Sequence, residues 1–297
     1  MEQKNIVPDF VVCLDAGNMD KTLDTTLGYL SSANCIIDIR VDKNIFRKGF
    51  KKVFVNFSNT DFITNKLAKY NSNIKFYETG GTASIMALVS AAKLGFSKIV
   101  LAGVDLAFKD DVIYADGETM NRISQDEILV DSVKKDLVQV PSVNGGNVYT
   151  RADYEAFIHQ FEEVIKELEY TNIYNISTFG AQINGVKPVN FELLSLMVPI
   201  KLNVLDDIAP FKFRLEEFVQ DEFFNINNII SILSKEVFSP ELLSAIVKSV
   251  LVYQYMQNDI LNALQTNFSE QIAEEFINKT KTAIKFVVDN LQKNKMV

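Results

Sequence analysis

The amino-acid sequence predicts an α/β fold in which a mainly parallel sheet, with helices on both faces, is followed by an all-helical C-terminal domain. Three observations predict it. Short apolar runs alternate with helical patterns in the first part of the chain, as in strand–helix–strand units. The run Ile99–Ala102 is apolar without alternation, as expected of a strand covered on both faces. All 12 glycines lie at or before Gly185, so turn-forming residues are confined to the first part.

Six strands and four helices are predicted in this first part. Each strand is a short apolar run, and each helix carries apolar residues at three- and four-residue steps. In chain order, the strands are Phe10–Leu14, Cys35–Ile39, Val53–Phe57, Ile74–Tyr77, Ile99–Ala102 and Ile173–Ile176, and the helices lie near 18–31, 61–70, 83–95 and 151–169.

The last part of the chain shows only helical periods. The segment Ser239–Glu241 is typical of a helix start, with an N-cap, a proline at the first helical position and an acid in the first turn. Apolar residues follow at helical spacing in Leu242–Leu251 and again in Ile272–Leu291. We expect an antiparallel bundle of about three helices. Prolines 188, 199 and 210 mark the connection, which predicts domains of residues 1–190 and 191–297.

Composition excludes several classes of protein. The net charge is −8, whereas a protein that neutralises nucleic-acid phosphates is basic on balance. Anionic membrane is disfavoured for the same reason, and no apolar run reaches the roughly 18–20 residues of a membrane span. Cys13 and Cys35 lie in apolar strand-like runs, which predicts buried thiols and no disulfide framework. Without a secretory signal pattern, we expect a cytoplasmic protein that binds no nucleic acid.

The segment Gly80-Gly81-Thr82-Ala83-Ser84 connects a predicted strand to a predicted helix. Two glycines allow a sharp turn and close approach of a ligand, while Thr82 can cap the helix. Unpaired N–H groups and the positive end of the helix dipole would then face a phosphate or carboxylate. An ordinary strand-to-helix turn explains the segment equally well, because the spacings of known nucleotide-binding loops are absent.

Asp105 follows the predicted strand Ile99–Ala102, at the edge where open α/β sheets bind ligands. Its carboxylate suits a metal, a sugar hydroxyl or a proton, or a cap for the next turn. Further on, Asn144-Gly145-Gly146 is first of all a hairpin signal, and Thr150–Asp153 has the form of a capping box.

His159, the one histidine, is predicted to be a partly buried structural residue in the middle of a helix. With a single histidine, neither a histidine-based triad nor a zinc cluster can be assembled, which removes most hydrolase mechanisms.

Together these segments resemble the central domain of the motility-associated factor (Maf) proteins, bacterial glycosyltransferases that attach nonulosonic acids to flagellin. Gly80–Ser84, Gly103–Phe108 and Asp116-Gly117 match the family's Gly-Gly-Ser/Thr turn, its Gly-x-Asp-Leu-Ala-Phe/Tyr strand end and its Asp-Gly loop. Ile6–Asp15 matches its Ile-x-Pro-Asp segment, and parts of 144–185 fit its later region. The resemblance covers about residues 6–190, and the helical remainder is similar in type only.

The resemblance implies a Rossmann-like glycosyltransferase domain, a CMP-activated nonulosonic acid of the pseudaminic or legionaminic type as donor, and flagellin Ser/Thr hydroxyls as acceptors. By position we assign hydroxyl orientation or base catalysis to Asp105 and Asp15. The residues assigned to donor binding are Gly80, Gly81, Thr82, Ser84, Tyr114, Asp116 and Asn144. No metal ligand is assigned, and a requirement for Mg²⁺ is left open.

Family members usually carry a Gly-Pro-Ser loop upstream of the Pro-Asp segment, which here is Pro8-Asp9. We therefore expect the first βα unit of the domain to be missing, in a piece of a longer protein or a shortened relative.

Two alternative functions stay open. The domain also resembles archaeal pyrophosphokinases that act on a pterin, in which Asp15 and Asp105 would hold Mg²⁺. A non-catalytic, flagellin-binding fragment is the other.

Overall fold

The computed structural model describes residues 8–14, 31–58, 62–71, 81–108, 137–169, 172–190, 192, 212–235, 237–265 and 270–294. Within them, the strands are β1 (Phe10–Cys13), β2 (Asn34–Asp38), β3 (Lys52–Asn56), β4 (Ile99–Leu101), β5 (Leu137–Pro141), β6 (Asn147–Arg151), β7 (Ile173–Asn175) and β8 (Val186–Pro188). The α-helices are α1 (Phe62–Ala68), α2 (Ala83–Lys93), α3 (Ala152–Glu167), α4 (Leu215–Leu233), α5 (Pro240–Lys248), α6 (Val250–Gln265) and α7 (Glu270–Lys293), with a 3₁₀ turn at Lys43–Arg47.

The chain forms two compact units. One, the sheet unit, comprises Met1–Ser58 and Phe76–Ile208, and the other, the helical unit, comprises Asn59–Lys75 and Ala209–Val297. The sequence prediction draws one boundary near residue 190, whereas here the segment with α1 joins the C-terminal helices. The reason is apolar packing, because Ile63 and Leu67 of α1 share a cluster with Phe218 and Val219 of α4.

Parallel strands build the sheet unit. β1, β2 and β3 form one parallel sheet in that order, and all five residues of the central strand β2 are buried. Cys13 and Cys35 are free and buried on β1 and β2, as predicted. A hydrogen bond between the two thiols raises the pKa of Cys35 and lowers the pKa of Cys13.

A second parallel sheet has the order β4-β7-β8, beside an antiparallel hairpin of β5 and β6. Helix α2 packs against α3 and against both β1 and β4. The shared core includes Leu88 of α2, Phe161 of α3 and Ile173 of β7. The predicted α/β class, with parallel strands and a helical C-terminal region, is confirmed. The predicted strand Ile74–Tyr77 lies outside the described residues, and so does the predicted helix near 18–31 except for its last residue.

Two local predictions in this unit are wrong. Thr150 does not cap α3, because it is a buried residue of β6 whose hydroxyl donates to the carbonyl of Leu106, 2.7 Å away. The residue at the N-cap position is Arg151, which makes no side-chain capping bond. His159 is not partly buried, since its side chain is 67% exposed and faces Glu162 one turn later on the surface of α3.

Among its described residues, the helical unit contains four helices after residue 209, where the sequence predicts about three. The extra break is at Ser249, whose extended backbone separates α5 from α6. Glu222 of α4, itself buried, accepts hydrogen bonds there from the Ser249 hydroxyl at 2.7 Å and the Val250 N–H at 2.8 Å, so it caps α6 from a neighbouring helix. The predicted cap Ser239 is confirmed on α5. None of the described helices is both long and apolar enough to span a membrane.

Candidate functional site

Asp105 lies in a tight turn that follows β4. The turn needs unusual backbone conformations on both sides of this residue, with φ of 72° at Gly103 and 46° at Leu106. A left-handed conformation is disfavoured for leucine, so tertiary contacts must hold the turn in this shape. One such contact is the hydrogen bond from the Thr150 hydroxyl to the Leu106 carbonyl. The Asp105 side chain is thus fixed in a half-buried position just beyond the carboxyl end of β4.

The segment after β7 holds the Asp105 turn from a second direction. The Ser177 hydroxyl donates a hydrogen bond to Oδ1 of Asp105. The Ala181 N–H donates to the Asp105 carbonyl at 2.8 Å. Between them, Gly180 lies so close that an added Cβ would be 2.6 Å from the same carbonyl oxygen. Among the described residues, Oδ2 of Asp105 accepts no hydrogen bond.

Asn144 reaches the same segment from the β5–β6 hairpin. Gly145 and Gly146 adopt φ of 82° and 71°, so the predicted Asn-Gly-Gly turn is confirmed. The Asn144 side-chain amide donates to the Thr178 carbonyl. The neighbouring Val143 N–H donates to the Gly180 carbonyl at 3.1 Å. Asn144 and Asp105 therefore both contact residues 177–181, and the three loops converge at one end of the β4-β7-β8 sheet.

The start of α2 is the third element that the sequence singles out. Thr82 caps the helix as predicted, accepting a hydrogen bond from the Ile85 N–H at 3.1 Å. The Gly81 N–H is already used, because it donates to Oε1 of Gln160 on α3 at 2.8 Å. Ala83 and Ser84, both exposed, are left to present their N–H groups at the positive end of the helix.

Three aromatic rings connect the Asp105 turn with the start of α2. Phe108 stacks on Tyr154 of α3 with ring centroids 5.8 Å apart, and Tyr154 contacts Phe157 at 6.1 Å. The Phe157 ring lies 3.2 Å from the position that a Cβ on Gly81 would occupy. The N-terminal half of α3 thus spans from the Asp105 turn to Gly81, within one unit.

A paired cation and anion lie beside these aromatic rings. Arg151 lies 4.5 Å from the Tyr154 ring and forms an ion pair with Asp153. The Arg151 guanidinium holds the pKa of Asp153 below its usual value. Within the described part of the chain, no three His, Cys, Asp or Glu side chains converge in a way that could hold a metal ion.

Five of the nine candidate residues are described: Gly81, Thr82, Ser84, Asp105 and Asn144. The structure brings Asp105 and Asn144 to the same segment, and it connects Gly81 to the Asp105 turn through α3. The other four, Asp15, Gly80, Tyr114 and Asp116, lie outside the described residues.

Sequence reasoning did not identify Ser177, Gly180 or Gln160 as neighbours of the candidate residues. Ser177 contacts a residue 72 positions earlier and Gln160 contacts one 79 positions earlier. Two signals were available: the segment Ser177–Ala181 directly follows a predicted strand, a position where open sheets bind ligands, and it belongs to the region that resembles the later part of the Maf pattern.

Comparison with known proteins agrees with this architecture. Residues 1–111 match the family model described as "6-hydroxymethylpterin diphosphokinase MptE-like". Among solved structures, the Maf glycosyltransferase from Magnetospirillum magneticum AMB-1 matches with a TM-score of 0.58 and 17% sequence identity, over 97% of this chain and 50% of that chain. No curated protein matches in sequence. This chain spans about half the length of that glycosyltransferase, and at this identity the likeness is one of fold. The resemblance to the Maf fold is confirmed.

Proposed function

We propose that the protein transfers an acidic sugar of the nonulosonic acid class from a CMP-activated donor to a Ser or Thr hydroxyl of flagellin. The observation that carries the proposal is the Asp105 carboxylate, which Ser177 and Ala181 of the segment after β7 hold beyond the carboxyl end of β4. The fold that presents it resembles that of a Maf glycosyltransferase over 97% of the chain.

The geometry of Asp105 suits a general base. Ser177 donates to Oδ1 and thereby orients the carboxylate, and Oδ2 is the oxygen to which we assign the proton of the acceptor hydroxyl. In the transfer step, the hydroxyl oxygen forms a bond to the anomeric carbon of the sugar. The bond from that carbon to the phosphate oxygen of CMP breaks, and CMP leaves with the electron pair. The hydroxyl proton passes to Asp105. This step needs no nucleophile on the protein.

The start of α2 is assigned to the anionic groups of the donor. The Gly81 N–H is bound to Gln160, so Ala83 and Ser84 supply the N–H groups for a phosphate or carboxylate, together with the Ser84 hydroxyl. The helix dipole adds a favourable interaction of about 0.3–1 kcal/mol with one negative charge. Asn144 closes the site from the hairpin. The roles of Asp15, Gly80, Thr82, Tyr114 and Asp116 remain as the sequence predicts them.

The test is transfer to an acceptor, measured by mass spectrometry. The parent chain, supplied with a CMP-nonulosonic acid and flagellin, is expected to add one sugar mass per modified hydroxyl. Asp105→Asn keeps the side-chain size and removes the base, so modification is expected to fall at least 100-fold. Asp289→Asn, an exposed position on α7, is the matched control and is expected to act like the parent. Parent-like modification by Asp105→Asn would remove this residue from the mechanism.

A second candidate function, diphosphate transfer from ATP to a pterin, is favoured by the match of residues 1–111 to the MptE-like family model. Such chemistry needs Mg²⁺, which binds through carboxylates and substrate phosphates. Within the described residues, Asp105 is the one carboxylate at the three converging loops. The kinase hypothesis therefore needs Asp15 as the second carboxylate for Mg²⁺. Thermal unfolding separates the two functions: an increase in Tm with CMP in the absence of metal supports sugar transfer, and one seen only with ATP and Mg²⁺ supports the kinase.

A further inference from the structure

The seam between α6 and α7, in the helical unit, exposes a pair of aromatic rings. Tyr255 of α6 and Phe286 of α7 contact each other with ring centroids 5.0 Å apart. The two side chains are 50% and 51% exposed. Large exposed aromatic side chains in mutual contact are a feature of binding surfaces rather than of an ordinary solvated helix pair.

A cavity lies on each side of this aromatic pair. The first, of about 390 Å³, is lined mainly by apolar residues of both helices, including Leu251, Val287 and Leu291, and also by the side-chain amides of Gln254, Asn290 and Asn294. The second, of about 620 Å³, is lined by polar and charged side chains. Tyr255 lines both cavities. We call the two cavities and the aromatic pair the α6–α7 groove, which is apolar at one end and polar at the other.

The polar end of the groove is acidic. Three carboxylates, those of Asp259, Glu274 and Glu275, line it together with a single cation, Lys279. The Lys279 ammonium is already bound by Asp259 at 2.8 Å and by Glu275 at 3.0 Å. Glu274 forms no ion pair with any described residue. This end of the groove therefore carries a net charge of about −2 and is complementary to a basic group.

We propose that the α6–α7 groove binds an amphipathic α-helix of another protein. The apolar face of that helix covers the aromatic pair and the apolar end, and its lysine or arginine side chains reach the acidic end. The groove-lining residues of α7 recur at steps of one to four from Gln271 to Leu291, a length of about 30 Å at 1.5 Å per residue. Such a surface accepts the side-chain ridges of a third helix, whereas an added strand would need a free sheet edge.

Charge argues against the other occupants of the groove. In a twofold dimer of this chain, the acidic end would meet either itself or the apolar end of its partner, and both arrangements desolvate carboxylates without a counter-ion. An anionic membrane would be repelled by the same carboxylates. A basic amphipathic helix instead places its apolar face on the apolar end of the groove and its cations on the acidic end.

Two synthetic peptides test the proposal by fluorescence anisotropy with the full chain. Both are about 20 residues long with leucines along one helical face. One has three lysines at one end and the other has three glutamates there. Each is also made with the order reversed, because the groove has two possible directions. We expect the lysine peptide, in one direction, to bind at least tenfold more tightly than its glutamate counterpart, with an affinity that falls as salt rises.

Variants of the chain locate the binding. Phe286→Ala is expected to weaken the lysine peptide at least tenfold, and Glu274→Lys is expected to weaken it several-fold. Leu264→Ala is the matched control, because Leu264 is 67% exposed on α6, nine residues from Tyr255 and thus on the opposite side of the helix. Circular dichroism checks that each variant is folded. The proposal would be overturned if both peptides bind equally well or if neither binds. It would also be overturned if the folded Phe286→Ala variant binds the lysine peptide as the parent does, or if sedimentation shows a dimer that buries the groove.

Discussion

Gly180 offers a direct way to disturb the Asp105 turn without touching Asp105 itself. A Cβ at this position would be 2.6 Å from the Asp105 carbonyl oxygen and 2.9 Å from its Cα, and the φ of 131° is unfavourable for any other residue. Ordinary contact begins near 3.4 Å, so Gly180→Ala must displace the turn by about 0.8 Å. A displacement of that order lowers the rate of a positioned catalytic step by about 100-fold.

The stability cost of Gly180→Ala has two sources. Overpacking against a backbone costs about 1–3 kcal/mol, and the left-handed φ costs a further 1–2 kcal/mol. Gly95→Ala is the matched control, because Gly95 has a φ of 83° but no atom within 4 Å of its added Cβ. It therefore carries the φ penalty alone. Urea unfolding gives the free energy of unfolding, and sugar transfer gives the rate.

We expect Gly180→Ala to lose at least 1 kcal/mol more than Gly95→Ala, and to lose transfer activity that Gly95→Ala retains. Equal unfolding free energies for the two variants, together with equal transfer rates, would refute the claim that Gly180 holds the Asp105 turn.

Three further predictions concern stability. Glu222→Ala is expected to lower the free energy of unfolding by about 1–3 kcal/mol in urea, because it leaves the Ser249 hydroxyl and the first N–H groups of α6 without this acceptor; a loss below 1 kcal/mol would contradict the capping role. Burial raises the pKa of Tyr70 to about 12, while the unfolded phenol ionises near 10, so the folded state retains the proton longer. The unfolding free energy should therefore fall as pH rises from about 10 to about 12, and a Tyr70→Phe variant with the same fall would exclude this cause. Thr82→Ala removes the cap of α2 and is expected to cost about 1 kcal/mol in urea unfolding; an unchanged midpoint would show that the cap contributes nothing.

The features that the sequence predicts well are those decided by neighbouring residues. Thr82 and Ser239 each cap a helix, because their hydroxyls need only reach an N–H three residues later. Gly145 and Gly146 form the turn of the hairpin for the same local reason. The buried strand Ile99–Leu101 follows from its continuous apolar run.

The features that the sequence could not decide depend on distant partners. Thr150 sits in a pattern that also fits a capping box, and only its position in β6, against the Leu106 carbonyl, decides between the two. The segment at 61–70 has an ordinary helical pattern that does not say which core it joins. The contact between Asp105 and Ser177 likewise needs the pairing of β4 with β7, which brings residues 72 positions apart together.

The central claim is that an anionic, nucleotide-activated metabolite binds between the Asp105 turn and the start of α2. Hydrogen–deuterium exchange of the chain with and without CMP measures this most directly. We expect slower exchange with CMP in residues 81–86 and 103–108, with little change in α7. Protection that appears only in other segments, or at neither of these two at saturating CMP, would contradict it.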